Sequence, residues 1–148
     1  MMRVYLDNCC FNRPFDEQNN IQIKLETEAK LHIQRLIAGS KLELAWSFIL
    51  DYENSRNPYK NRKAFVDKWE KLSKLYIEPT DEIILKSESF QKFGIKEKDS
   101  VHIACAIKAA CNYFITTDYL ILKKGKNIKE INILNPLEFI TFLGGTKK

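Results

Sequence analysis

The chain has 148 residues and a formal net charge of +5, the size of one domain that can bury a single core and too short for two. Hydrophobic residues make up 45% and charged residues 29%, which excludes an intrinsically disordered chain and suits a globular one. The basic excess, with a pI near 9.0, fits a polyanionic partner, because neutralising phosphates releases counterions; it equally fits charge that serves solubility.

In chain order, Arg3 to Leu6 reads as a short buried strand ending at Asp7. Its apolar run is far too short for a signal peptide or a membrane span. Asn19 to Ala38 carries apolar residues at roughly helical spacing (Ile23, Leu25, Ala29, Ile33, Leu36, Ile37) and stops at Gly39. Leu42 to Trp46 is a second strand. Ser47 then caps a short helix through Glu53, which fails at Asn57-Pro58. Tyr59 to Leu72 is a basic helix with Phe65, Trp69 and Leu72 on its apolar side. Leu75 to Ile77 is a short strand closed by Pro79, and Thr80 caps a helix ending near Gly94. Asp99 to Cys111 is an alanine-rich helix, and Tyr113 to Thr117 a strand stopping at Asp118. Ile131 to Leu134 is the last strand. Pro136 starts a closing helix to Leu143, after which residues 144–148 form a disordered tail.

Strands alternating with helices predict an α/β fold, with a mainly parallel sheet of about five strands flanked by helices in three layers. No linker or repeat divides the chain, so residues 1–143 form a single domain. The four cysteines have no zinc-knuckle spacing, and an adjacent pair such as Cys9-Cys10 rarely bridges itself. Free thiols in a reducing cytoplasm are the expectation.

The chemistry lies in where the acids fall. Ligands of open parallel sheets sit beyond the carboxyl ends of the strands. Asp7 ends the first strand and Asp118 the fourth. Asp99 opens a helix whose N-terminus lies at the same edge, and Glu53 follows the second strand by about two turns. Clustered carboxylates repel one another, and a bound Mg²⁺ or Mn²⁺ relieves the repulsion because hard cations prefer oxygen ligands. Such an ion can orient water and stabilise the leaving oxygen in an in-line displacement at phosphorus. Thr116 and Thr117, just before Asp118, are placed to donate to a carboxylate or a phosphate. Taken singly, each acid is better explained as a helix cap, the start of an Asx turn or a solvated surface group; it is four of them at one edge that points to a metal-dependent phosphodiester hydrolase.

These residues carry a resemblance. Asp99-Ser-Val-His-Ile-Ala-Cys-Ala followed by Tyr113-Phe-Ile-Thr-Thr-Asp118 resembles the signature half of a PIN domain, and Val4-Tyr-Leu-Asp7-Asn-Cys is similar to that family's first strand. The resemblance spans nearly the whole chain. It implies a metal-dependent ribonuclease of the VapC-like toxin type, cutting RNA with Mg²⁺ or Mn²⁺ and neutralised by a small antitoxin, and a homodimer. It also implies Asp7, Glu53, Asp99 and Asp118 as the metal-binding quartet, with Asp51 as the rival to Glu53. Asn8 stands where many relatives carry a hydroxyl residue.

His102, three residues after Asp99 on the same helix face, is read as a supporting group, because water activated by a metal ion needs no histidine base. His32 reads as an ordinary, partly exposed residue. Arg13 and Arg56 flank the acids in loops and are candidates for phosphate contacts, and the run Lys123-Lys124-Gly-Lys126 after Asp118 is similarly placed. The lysines and arginine around Lys60 to Lys74 fit either a phosphate grip with Tyr59 for stacking or a plain solvated helix face. The alternative function is a catalytically silent nucleic-acid- or protein-binding module of the same fold. A phosphotransfer protein is disfavoured, since neither a D-x-D after the first strand nor a glycine-rich phosphate loop occurs.

Overall fold

A computed structural model describes residues 1–12 and 20–146. Five strands form one parallel sheet: β1 (Arg3–Leu6), β2 (Glu43–Ser47), β3 (Leu75–Ile77), β4 (Tyr113–Ile115) and β5 (Asn132–Leu134), in the order β3-β2-β1-β4-β5. The expected α/β architecture is thus present. Strand β1 lies at the centre, with Val4 opposite both Leu44 and Tyr113. Val4, Tyr5 and Leu6 are completely buried, as a strand covered on both faces requires.

The helices are α1 (Asn8–Asn12), α2 (Ile21–Ala38), α3 (Phe48–Ser55), α4 (Lys60–Leu72), α5 (Asp81–Gln91), α6 (Glu97–Lys108), α7 (Tyr119–Lys124) and α8 (Pro136–Thr146). Helix α2 packs on α8, and α5 on α6. The β1-α2-β2 connection steps one way along the sheet and β3-α5-α6-β4 steps back past β1. With right-handed crossovers, that reversal sets the two helix pairs on opposite faces. It also opens a crevice between the carboxyl ends of β1 and β4, the topological switch point where α/β sheets place ligands.

Several boundaries depart from the sequence reading, each for a local reason. Asn20 caps α2 by accepting from the Gln22 and Ile23 amides, and Asn19 lies outside the described residues. Ser47 is both the last residue of β2 and the cap of α3. Helix α6 starts two residues before Asp99, so Asp99 sits in its first turn rather than at its cap. The helix ends at Lys108, short of Cys111, because Ala110 turns into the left-handed region (φ 56°). Strand β4 stops at Ile115, and Asp118 caps α7, a helix absent from the sequence reading. Helix α8 continues through Gly144 and Gly145 to Thr146, past the expected stop at Leu143.

In α4 the buried residue is Val66, whereas Leu72 is 40% exposed, so the apolar stripe is rotated by about one position from the expected one. The four cysteines are free thiols, as expected. No helix among the described residues is long and apolar enough to cross a membrane.

Candidate metal centre at the carboxyl edge of the sheet

Asp7 extends the β1 ladder by one bond, its amide donating to the Ile115 carbonyl (2.9 Å), which turns its carboxylate over the strand end. Both carboxylate oxygens are fixed by the protein. Asp7 Oδ1 accepts from the Asn8 amide (2.8 Å), and Oδ2 accepts from the Thr116 hydroxyl (2.8 Å). Cys9 Sγ lies 3.5 Å from the same Oδ2. Thr116 Oγ1 in turn accepts from the Asp118 amide (3.1 Å), so this one buried hydroxyl couples the ends of β1 and β4. Thr117 instead donates to Cys9 Sγ (3.1 Å), one step removed from the acids.

Glu53 projects from α3 onto His102 of α6: His102 Nε2 is hydrogen-bonded to Glu53 Oε1 and stands 4.0 Å from Asp7 Oδ1. Asp7, Glu53 and His102 each offer a ligand atom within 4.8 Å of the others. The other imidazole nitrogen, Nδ1, is bonded to the Tyr5 hydroxyl (2.6 Å), which is bonded to Ser47 Oγ (2.6 Å). A buried chain from β2 through β1 to α6 therefore aims the ring at Glu53. Burial opposes a charge on His102, but the Glu53 hydrogen bond and the Asp7 carboxylate outweigh it and hold the imidazole more basic than usual.

Replacing Tyr5 with Phe should leave the stacking on Phe114 intact, strand the buried His102 Nδ1 and leave Ser47 Oγ with the Leu50 amide. The expected loss is about 1–3 kcal/mol of unfolding free energy in urea titrations; a change below about 0.5 kcal/mol would mean the chain carries no weight.

Asp99 and Asp118 complete the edge. Asp118 Oδ1 accepts from the Leu120 and Ile121 amides (2.9 and 3.2 Å), capping α7. The two acids line one cleft together with Lys96 and Lys124. Burial, then the charges of Asp7 and Asp118, push the Asp99 carboxyl from 3.8 up to about 6. The His102 ring lowers it and Glu53 raises it, so Asp99 responds to all the groups at this edge. This is the condition a cation would relieve.

The rival to Glu53 points elsewhere. Asp51 accepts from Trp46 Nε1 (2.8 Å) and from the Tyr76 hydroxyl (2.6 Å), both on the β2-β3 side. Among the cationic candidates, Arg56 ends α3, with its guanidinium carbon 5.6 Å from the centre of the Tyr52 ring. Lys123 is exposed on α7, while its neighbour Lys124 lines the cleft. Arg13 lies outside the described residues. Two contributors escaped the sequence reading, Tyr5 and Lys96. The first was hidden in an apolar strand, but alternation along β1 puts Tyr5 on one face and Val4 and Leu6 on the other.

No protein-family model matches the sequence, and no curated protein matches it. Solved structures do. VapBC2 from Rickettsia felis, bound to a DNA fragment from their promoter, superposes with a TM-score of 0.60 at 16% identity, covering 90% of this chain and 98% of that one. DNA-bound VapBC from Salmonella typhimurium gives 0.56 at 14% identity, with 92% and 99% covered. VapBC-1 from nontypeable Haemophilus influenzae gives 0.54 at 18% identity, with 91% and 98% covered. The VapC component of these assemblies is a PIN domain. The chain has the PIN-like fold, as its sequence resemblance implied.

Proposed function

We propose that this chain is a divalent-metal-dependent endoribonuclease, the toxin of a type II toxin–antitoxin pair, acting in the cytoplasm. The observation that carries the reading is the convergence of Asp7, Glu53, Asp99 and Asp118 from four separate elements, with the Asp99 carboxyl driven up to about 6 by burial and by Asp7 and Asp118. A pure binding module gains nothing from acids that repel its own polyanionic ligand, so the silent alternative is the weaker one.

Asp7, Glu53, Asp99 and Asp118 would hold Mg²⁺ or Mn²⁺, an all-oxygen set that suits hard cations. When bound, the ion would activate water and stabilise charge on the leaving oxygen. The chain's own groups set the geometry. The Asn8 amide and Thr116 hydroxyl hold Asp7 by both oxygens, and His102 holds Glu53, so neither carboxylate is free to turn away. Thr116 ties the Asp118 backbone to Asp7. Lys96 and Lys124, in the cleft with Asp99 and Asp118, would meet an approaching phosphate backbone, and Arg56 beside Tyr52 would add to them.

The partner would be a small antitoxin, in keeping with the VapBC neighbours, and the toxin itself a homodimer. The purified protein should cut RNA in Mg²⁺ or Mn²⁺, and EDTA should stop it. Asp118→Asn keeps an α7 cap but should lower the rate by about 10²-fold or more. Equal cutting by Asp118→Asn and wild type would assign the activity to another source.

A further inference from the structure

We infer that Tyr52, Arg56 and Lys98 form a subsite that binds one nucleotide of a single-stranded polynucleotide beside the metal centre, a reading that rests on the proposed nuclease. Tyr52 directly precedes Glu53 on α3, and Lys98 directly precedes Asp99 on α6. The Tyr52 ring is 45% exposed although it sits at the junction of two helices. Lys98 Nζ lies 5.3 Å from its centre and the Arg56 guanidinium carbon 5.6 Å. The three side chains therefore bridge α3 and α6, and two of them adjoin Glu53 and Asp99 in the chain.

A half-exposed aromatic ring with two cations over it matches what a single strand presents: a flat base that can take the ring surface, and a phosphate a few ångströms away to which the displaced cations can turn. Stacking tolerates any base, because each has a π-face, whereas a paired duplex keeps its bases unavailable. Lys96 and Lys124 lie in the cleft with Asp99 and Asp118. A strand crossing the centre would thus meet a base platform with cations at the Glu53 side, and the lysines of the cleft at the Asp118 side.

The test uses the full chain carrying Asp99→Asn, so that bound strands stay uncut, and fluorescence anisotropy with labelled oligonucleotides. Tyr52→Phe should bind as the parent does. Tyr52→Leu, which keeps apolar bulk without a π-face, should bind about tenfold more weakly or worse. An abasic residue scanned along the oligonucleotide should weaken binding to the parent at one position and have no effect there on Tyr52→Leu. RNA and DNA versions of the strand separate a base platform from one that also needs the 2′-hydroxyl.

Thermal melting identifies any loss that comes from unfolding, and the Phe variant controls for the helix contact. Equal binding by folded Tyr52→Leu and parent overturns the subsite; if the wild type still cuts RNA in Mn²⁺, the nuclease reading stands without it. Absence of both binding and cutting by the wild type overturns the two together.

Discussion

Replacing Asp99 with Asn should raise the melting temperature of the metal-free protein and, in the same molecule, abolish its stabilisation by Mn²⁺. Burial and the charges of Asp7 and Asp118 hold the Asp99 carboxyl at about 6 instead of 3.8. A carboxyl whose folded pKa is raised contributes stability that is complete below about 3.8 and is lost as the pH rises through about 6. At pH 7 the ionised group is therefore a net burden on the empty fold. Asp99 also lies in the first turn of α6, where the helix dipole favours an acid by about 0.3–1 kcal/mol. The upward shift shows that the neighbouring carboxylates and desolvation win.

The side chain is half-exposed, so solvent screens much of the repulsion, and relief of about 1 kcal/mol, or roughly 2–4 °C, is the expected gain. Mn²⁺ should reverse the order. A ligand at a hundred times its dissociation constant stabilises by about 2.7 kcal/mol, and this increment should appear in the wild type and largely vanish in Asp99→Asn. Differential scanning fluorimetry with EDTA and with Mn²⁺ from pH 4 to 8 checks both halves. An Asn variant that melts below the wild type in EDTA at pH 7 would make Asp99 a structural first-turn acid.

The sequence reading and the structure agree most closely where the strands end. Asp7 was legible because an apolar run that stops at an acid marks the carboxyl edge of a parallel sheet, and Asp118 was legible as to its edge although β4 ends three residues before it, at Ile115. Asp99 was legible as to its edge but not its helical position, since Glu97 and Lys98 begin α6 without an apolar signal. The choice between Asp51 and Glu53 was not legible. Two acids two residues apart on one helix differ only in direction, and the direction was decided by Trp46 and by Tyr76, which lies 25 residues away from Asp51. Helices α1 and α7 were missed because five or six residues are too few for a periodicity. For α7 a signal did exist: Asp118 at the cap and Lys123-Lys124 in the last turn.

The chain of contacts behind the acids is a tertiary property of another kind. Ser47, Tyr5 and His102 lie 42 and 97 residues apart along the links they make. Each alone reads as a cap, a core aromatic and a helix histidine. Their joint effect is to fix Glu53, the acid with the weakest motif, by a buried scaffold. Position on α3 carries little information about that carboxylate, and the residues of β1 and α6 carry most of it.

Lys30→Met should make the protein more stable, by about 3 kcal/mol at neutral pH. Lys30 lies on α2, fully buried, and among the described residues its Nζ has no hydrogen-bond partner. Its main contact is the Phe11 ring, 4.1 Å from Nζ to the ring centre, and a cation–π contact returns about 2 kcal/mol at most when desolvated. Helical phase places Lys30 between Glu26 and Ile33 on the buried face of α2, so the lysine occupies a core position. Burial drives its pKa from 10.5 down to about 8, against weaker raising effects from Cys10, Cys9 and Asp7. Below pH 8 the charge is kept in both folded and unfolded states and the full desolvation cost is present. Between about 8 and 10.5 the folded state releases its proton first, so this group's cost falls as the pH rises.

Methionine matches the length of the lysine stem without a charge and fills irregular space well. The gain should appear as a rise of roughly 6–12 °C in melting temperature at pH 7, and the gap between variant and wild type should shrink steadily from pH 8 to 10. That convergence separates removal of a buried charge from mere improvement in packing, which would leave the gap constant with pH. A variant less stable than the wild type at pH 7 would mean that the positive charge of Lys30, set below Asp7 and the two cysteines, holds this side of the fold together.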